Sequence, residues 1–232
     1  MSAIQYSRLT RVSAIAVLLA ACAGSVDAFA FFGLGHAFAG IVTGNLVTAG
    51  YGLATGNASL VRPTVTAVAA CIAGEVTWAR LLNRRADNAL VPLIAENVLL
   101  LIVLITWLGT DGRPHGIITL SMLALASAGI GGQSIWALRI HQTTTYFTGM
   151  LTAAVNAAAG GSLAKIGVSI RQLCALIAGV ALAGILLRNL RPAVPALPLV
   201  LLAAATTIQA WCPSRLITVT NPQESTHHDN DE

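Results

Sequence analysis

The chain has 232 residues, 56% of them hydrophobic and 9% charged, with a mean hydropathy of +0.76. A soluble domain carries about 25% charged residues, so the composition excludes a water-soluble globular protein and predicts an all-α membrane protein with several spans. The net charge of +4 does not point to nucleic acid, because the basic residues lie scattered between apolar runs and there act as loop charges that set orientation in a bilayer.

Apolar segments recur at about 12–34, 38–54, 63–82, 90–108, 116–138, 144–160, 172–188 and 195–212. The first follows Arg8 and Arg11 and contains Leu19-Ala20-Ala21-Cys22, the pattern of a lipoprotein signal cut before the cysteine. The apolar run continues past Cys22 to Phe32, longer than a signal core, which favours an uncut helix. Asp27 then lies inside the bilayer, where a charged Asp at mid-span costs about 2.5–3.5 kcal/mol. It is either a proton or cation site, or a cap or hydrogen-bonding residue beside Gly24 and Ser25.

The second segment is short and carries Thr43-Gly44-Asn45, seven residues after His36. These residues either line a half-helix site or pack closely through the Gly40/Gly44 step. Glu75 falls in the third segment near Arg80, and Glu96 in the fourth beside Asn97, where it could answer an arginine. Gln133 lies in the fifth, and Thr148-Gly149 follow His141 in the short sixth. As symmetric imidazoles, His36 and His141 read as relay groups or as interfacial side chains.

Residues 213–232 form a polar acidic tail with Glu224, Asp229, Asp231 and Glu232; its His227 and His228 read as a solvated end. Cys22, Cys71, Cys174 and Cys212 all sit in apolar stretches with no CxxC spacing. No phosphate loop, GxSxG or HExxH occurs, so no catalytic residue, cofactor or metal is expected.

Shifted by 105, residues 36–82 align on 141–187 without a gap and with 13 identities in 47 positions; an Ala/Leu-rich composition gives roughly four by chance. His36 falls on His141, Thr43-Gly44 on Thr148-Gly149, and Ile72-Ala73-Gly74 on Ile177-Ala178-Gly179. The chain therefore reads as one membrane domain, 1–232, with repeats at about 12–108 and 116–212. Residues 12–34 answer to the internal segment 116–138, a second argument against cleavage at Cys22.

If all eight segments span, Lys and Arg divide 7 inside and 6 outside. If the second and sixth dip in and return, the division is 9 (Arg8, Arg11, Arg80, Arg84, Arg85, Arg139, Lys165, Arg171, Arg215) against 4 (Arg62, Arg113, Arg188, Arg191). The positive-inside rule selects the second arrangement: six full transmembrane helices plus two shorter, re-entrant ones, both termini cytoplasmic, and the two halves inverted.

Three stretches, "AGSVDAFAFFGLG" (23–35), "VTGNLVTAG" (42–50) and "AGIGGQS" (128–134) followed by "YFTGMLT" (146–152), resemble the YoaK-type family of bacterial membrane proteins of unknown function. The resemblance covers roughly 12 to 190. Position by position, it carries Asp27, Thr43, Gly44 and Asn45 in the first half and Gln133, Thr148 and Gly149 in the second; Glu96 matches an acid often found there. Met150 departs from the pattern by replacing a polar residue, and the paired His36 and His141 are not family hallmarks. The resemblance implies a fold and a bacterial inner-membrane location, and no activity.

Moving a small solute or ion is the expected work, along a path nearest Asp27, Gln133 and the two T-G elements. A membrane-embedded enzyme acting on a lipid or isoprenoid is the alternative, but such enzymes usually pair their acids, and here the acids are isolated. An assembly or regulatory protein is the third reading. The partners expected are the lipid bilayer, a small solute or ion, and a second copy of the chain.

Overall fold

The computed structural model describes residues 3–84, 90–139, 149, 151–152, 155–156, 159 and 163–211. His141, Thr148, Cys212, most of the sixth segment and the tail 213–232 lie outside the described residues. Among the described residues seven α-helices with defined bounds follow in order: α1 Ala3–Gly33, α2 Val42–Ala54, α3 Ala58–Arg84, α4 Leu90–Gly109, α5 Ile117–Arg139, α6 Leu163–Asn189 and α7 Ala196–Ala210. A 3-10 turn, Arg191–Ala193, leads into α7. No strand occurs among the described residues.

Among the described residues six stretches are long and apolar enough to cross a bilayer: Val12–Gly33, Ala58–Leu81, Leu90–Gly109, Ile117–Leu138, Gly167–Asn189 and Arg191–Ala210. These are the six full spans expected from the sequence, and they fit a multi-pass membrane protein. With 13 residues, α2 is about 20 Å long, too short for a hydrocarbon core of about 30 Å. The rim of the bundle exposes Ile72 and Val76 on α3, Ile94, Val98 and Ile105 on α4, and Ile177 and Ile185 on α6. Apolar surface on this scale is costly in water and matched in lipid.

The centre is formed by α1 and α5. Ala16, Leu19, Ala20, Cys22, Val26 and Ala30 of α1 are fully buried, as are Leu123, Ala126, Ser127 and Gln133 of α5. Ile15, Ala16, Leu19 and Ala20, which a cut before Cys22 would remove, are buried in this core, and the Cys22 thiol donates to the Pro198 carbonyl of α7 over 3.5 Å.

Two glycine seams join these central helices to their neighbours. Between α3 and α5, a methyl group added at Gly131 would meet the Cys71 carbonyl at 2.5 Å, and one at Gly74 would collide with the Ala128 carbonyl. Between α1 and α6, Gly24 stands in the same way against the Leu176 carbonyl and Gly179 against that of Ala21. Cβ-free contacts of this kind let backbones approach where lipid supplies no hydrophobic drive. Cys71 and Leu176 are 105 positions apart, as are Gly74 and Gly179; Gly24 and Gly131 are 107 apart, as are Ala21 and Ala128.

At the end of the bundle where α1 finishes, the chain turns on Gly35 (φ +114°) and His36 (φ +60°), and the His36 N–H donates to the Phe31 carbonyl. Left-handed backbone is rare for side chains other than Asn, Asp and His. At the same end the Trp107 indole donates to the Arg191 carbonyl (3.0 Å), while Arg191 Nε donates to the Gly112 carbonyl (2.9 Å). This ties α4 to the turn before α7.

Candidate functional site

Two buried acids occupy the bundle, in opposite circumstances. Asp27 is six residues, about 9 Å, before the end of α1, and its side chain is buried. The chain leaving α1 folds back towards it: Asp27 Oδ1 accepts the Gly40 N–H at 2.8 Å, and the N–H groups of Ala39 and Ile41 also face the carboxylate. These three donors lie immediately before α2, where non-helical backbone would otherwise go unpaired. Asp27 is thus a cap, and the group it caps is the link between α1 and α2.

The T-G-N element closes the same link from the other side. Asn45 Oδ1 accepts the Phe38 N–H at 2.9 Å, and Asn45 Nδ2 donates to the Phe38 carbonyl at 2.7 Å. Asn45 therefore meets one residue's main chain as a neighbouring strand would. Gly44 leaves room for the Phe38 ring, whose atoms lie 3.4 Å from where a Cβ would stand, and that ring stacks on Phe31 at 4.7 Å. Thr43 is exposed. His36 is exposed too, with its ring edge-on to Phe31 at 5.4 Å; it makes the turn out of α1. Gly149 is helical and exposed with open space around it, whereas its neighbour Thr148 and the paired His141 lie outside the described residues.

Glu96 on α4 is the second acid. It is 1% exposed, and neither carboxyl oxygen has a hydrogen-bond partner; the arginine that sequence reasoning offered it does not reach it. Its Cγ lies 3.0 Å from the position a Cβ would take on Gly129 of α5, so the glycine makes space for the carboxyl arm. Cys22 of α1 is within electrostatic reach of both Glu96 and Asp27. One turn along α5 from Gly129, Gln133 donates Nε2 to the Leu19 carbonyl of α1 at 2.9 Å, while its Oε1 is buried without a partner. One turn further, the buried Trp136 indole N–H also lacks a partner. Gly129, Gln133 and Trp136 share one face of α5, so unpartnered polar atoms run along a single stripe.

Asp27 and Gln133 do not bond to each other. Each bonds to backbone, and Leu19, which holds Gln133, is eight residues from Asp27, about 12 Å along α1. Glu96 packs on Gly129, and Gln133 follows one turn along the same face of α5. Trp136 and Ser127, whose buried hydroxyl is also unpartnered, were missed from the sequence; the only signal was the glycine run Gly129, Gly131, Gly132 that frames the place. Glu75 is half-buried on α3 near the Gly131 seam, and Asn97 turns away from its neighbour Glu96 to donate to Thr206 Oγ1 of α7 at 2.9 Å.

A cavity of about 610 Å³ opens where α1 ends, lined by Gly35, Ser59, Arg62, His115 and Thr119 among others. It holds two basic side chains and no acid. A second, apolar cavity of about 400 Å³ lies between Trp78 and the Val91–Leu99 stretch of α4; Asp27 lines neither. Among the described residues no cluster of three His, Cys, Asp or Glu could hold a metal ion.

Neither the curated proteins nor the solved structures contain a match to the chain. Its residues 15–208 match the family described as "Protein of unknown function (DUF1275)". This match takes in the Asp27 cap, the T-G-N clamp and the Glu96–Gln133 stripe, and with it the chain belongs to the DUF1275 family.

Proposed function

We propose that the protein moves a small solute or ion across the bacterial inner membrane, along a path at the junction of α1, α4 and α5. The observation that supports this most is the row of buried polar atoms without partners, Glu96 Oε1 and Oε2, Gln133 Oε1 and Trp136 Nε1. In a lipid-facing bundle every such group is costly unless something supplies its hydrogen bonds, and a permeating species or its water does so. Thr43, Gly44 and Asn45 belong to the re-entrant α2 element beside the path, held to α1 by Asp27, with Thr148 and Gly149 its counterpart.

This reading includes two inverted repeats, a recurring transporter plan. The paired glycine seams support it, with the register 105 in the outer helices and 107 in the central ones. In that register Asp27 answers to Ser134, and Gln133 to Val26. Both termini are cytoplasmic: reporter fusions after residues 86, 112 and 214 should read inside, outside and inside. Outside, inside, inside would instead make the repeats parallel.

Reconstitution tests the transport itself. Proteoliposomes should show flux above protein-free vesicles, either of a small polar solute in an osmotic swelling assay or of ions after a pH or salt jump. Gln133→Leu should reduce that flux while the protein stays folded. Folded protein with no flux of either kind overturns the reading and favours the assembly role.

A further inference from the structure

We infer that Glu96 and Gln133 form a binding site for a monovalent cation, a proton or a sodium ion. Three of the buried unpartnered atoms at this place, Glu96 Oε1 and Oε2 and Gln133 Oε1, are of one chemical kind: oxygens that lack a donor. The orientation of the Gln133 amide is fixed independently, because its Nε2 donates to the Leu19 carbonyl, leaving the carbonyl oxygen as the free end. Glu96 packs on Gly129 and Gln133 follows one turn along the same face of α5. On the facing helix, Leu19 and Cys22 are likewise successive turns, one holding Gln133 and the other within reach of Glu96.

No fixed positive charge answers this carboxyl. Residues 117–138 of α5 and 196–210 of α7 contain no ionisable side chain, Glu96 is the only charged residue in α4, and residues 12–33 of α1 carry only the Cys22 thiol and, further along, Asp27. A carboxylate in such surroundings is stable only when neutralised, and here the neutralising charge must come and go. One carboxylate with one amide oxygen balances a single positive charge. A divalent ion would leave one positive charge uncompensated in apolar surroundings. Asp27 makes the contrast: its oxygens face three backbone N–H groups and are closed to a cation. The inference deepens the proposed transport, and for its use as a coupling ion it rests on that reading; the binding itself does not.

Infrared difference spectroscopy of purified protein labelled with ¹³C-glutamate tests it without any flux measurement. The carboxylic-acid carbonyl band of a buried glutamate is followed as pH is raised in sodium-free buffer, and as sodium is added at constant pH. Loss of the band with sodium, but not with potassium or choline, identifies a sodium site; loss only with rising pH identifies a proton site. Either response should vanish in Glu96→Gln and persist in Glu75→Gln, and Gln133→Ala should weaken the sodium response about tenfold. If Glu96→Gln fails to fold, Glu96→Leu takes its place. A Glu96 band that answers neither pH nor sodium, or a response retained without Glu96, overturns the site. Binding without flux would overturn transport and leave the site standing; flux indifferent to Glu96 would leave transport standing and remove the coupling role of the site.

Discussion

Asp27 and Glu96 are both acids buried in the apolar part of one bundle, and the structure treats them in opposite ways. The Asp27 carboxylate faces the N–H groups of Ala39, Gly40 and Ile41, so its burial is compensated and local. Glu96 has no hydrogen bond at either oxygen. A polar group in lipid that has all its partners holds structure, and one that lacks them waits for a ligand. The stretch containing Asp27 therefore marks the link between α1 and α2, and Glu96 marks the candidate site.

The comparison is bounded by the packing beneath both acids. The largest loss is expected at the seams: Gly74→Leu or Gly179→Leu forces a side chain into a facing carbonyl and should cost upwards of about 3 kcal/mol, seen as aggregation during purification. Gly184→Leu has open space around it and should purify normally. Equal behaviour of the two kinds of variant would mean that the seams do not hold the fold.

Next comes Asp27 itself. Asp27→Ala strands up to three backbone donors and should lower stability by about 2–3 kcal/mol, measured by thermal unfolding in detergent; Asn45→Leu should approach it by freeing the Phe38 main chain. Asp27→Asn keeps an acceptor and should cost about 1 kcal/mol. A neutral Asp27→Ala would remove the distinction between the two acids from one side.

Glu96→Leu has the opposite sign: an unpartnered carboxyl gives way to a side chain that needs no donor, and stability should rise by about 1 kcal/mol while ion binding disappears. Destabilisation there would mean that Glu96, like Asp27, has a structural partner. The smallest effect is expected for the exposed Thr43→Ala, within about 0.5 kcal/mol in the same melt, although Thr43 belongs to the motif.

Much of the architecture was legible without coordinates. Long apolar runs signal spans directly, because a helix that satisfies its own backbone is the way a segment crosses lipid. The short second segment was equally legible from its length and its Gly and Thr content. The site was not. Asp27 and Gln133 stood out as polar residues in apolar runs, but sequence cannot show that the Gly40 N–H folds back onto Asp27, or that Gln133 reaches Leu19, 114 residues away. Glu96 was visible as an intramembrane acid and was offered an arginine; only packing shows that α5 and α7 bring it no charge.

By itself the sequence determined the six helices long and apolar enough to span, the shortness of the second segment, and the presence of costly acids within apolar helices, since each follows from length and hydropathy along a single helix. The tertiary structure alone decided which acid is compensated. Hydrogen-bond satisfaction depends on what other helices and links bring within about 3 Å, and that is a property of how α1, α4 and α5 pack against one another.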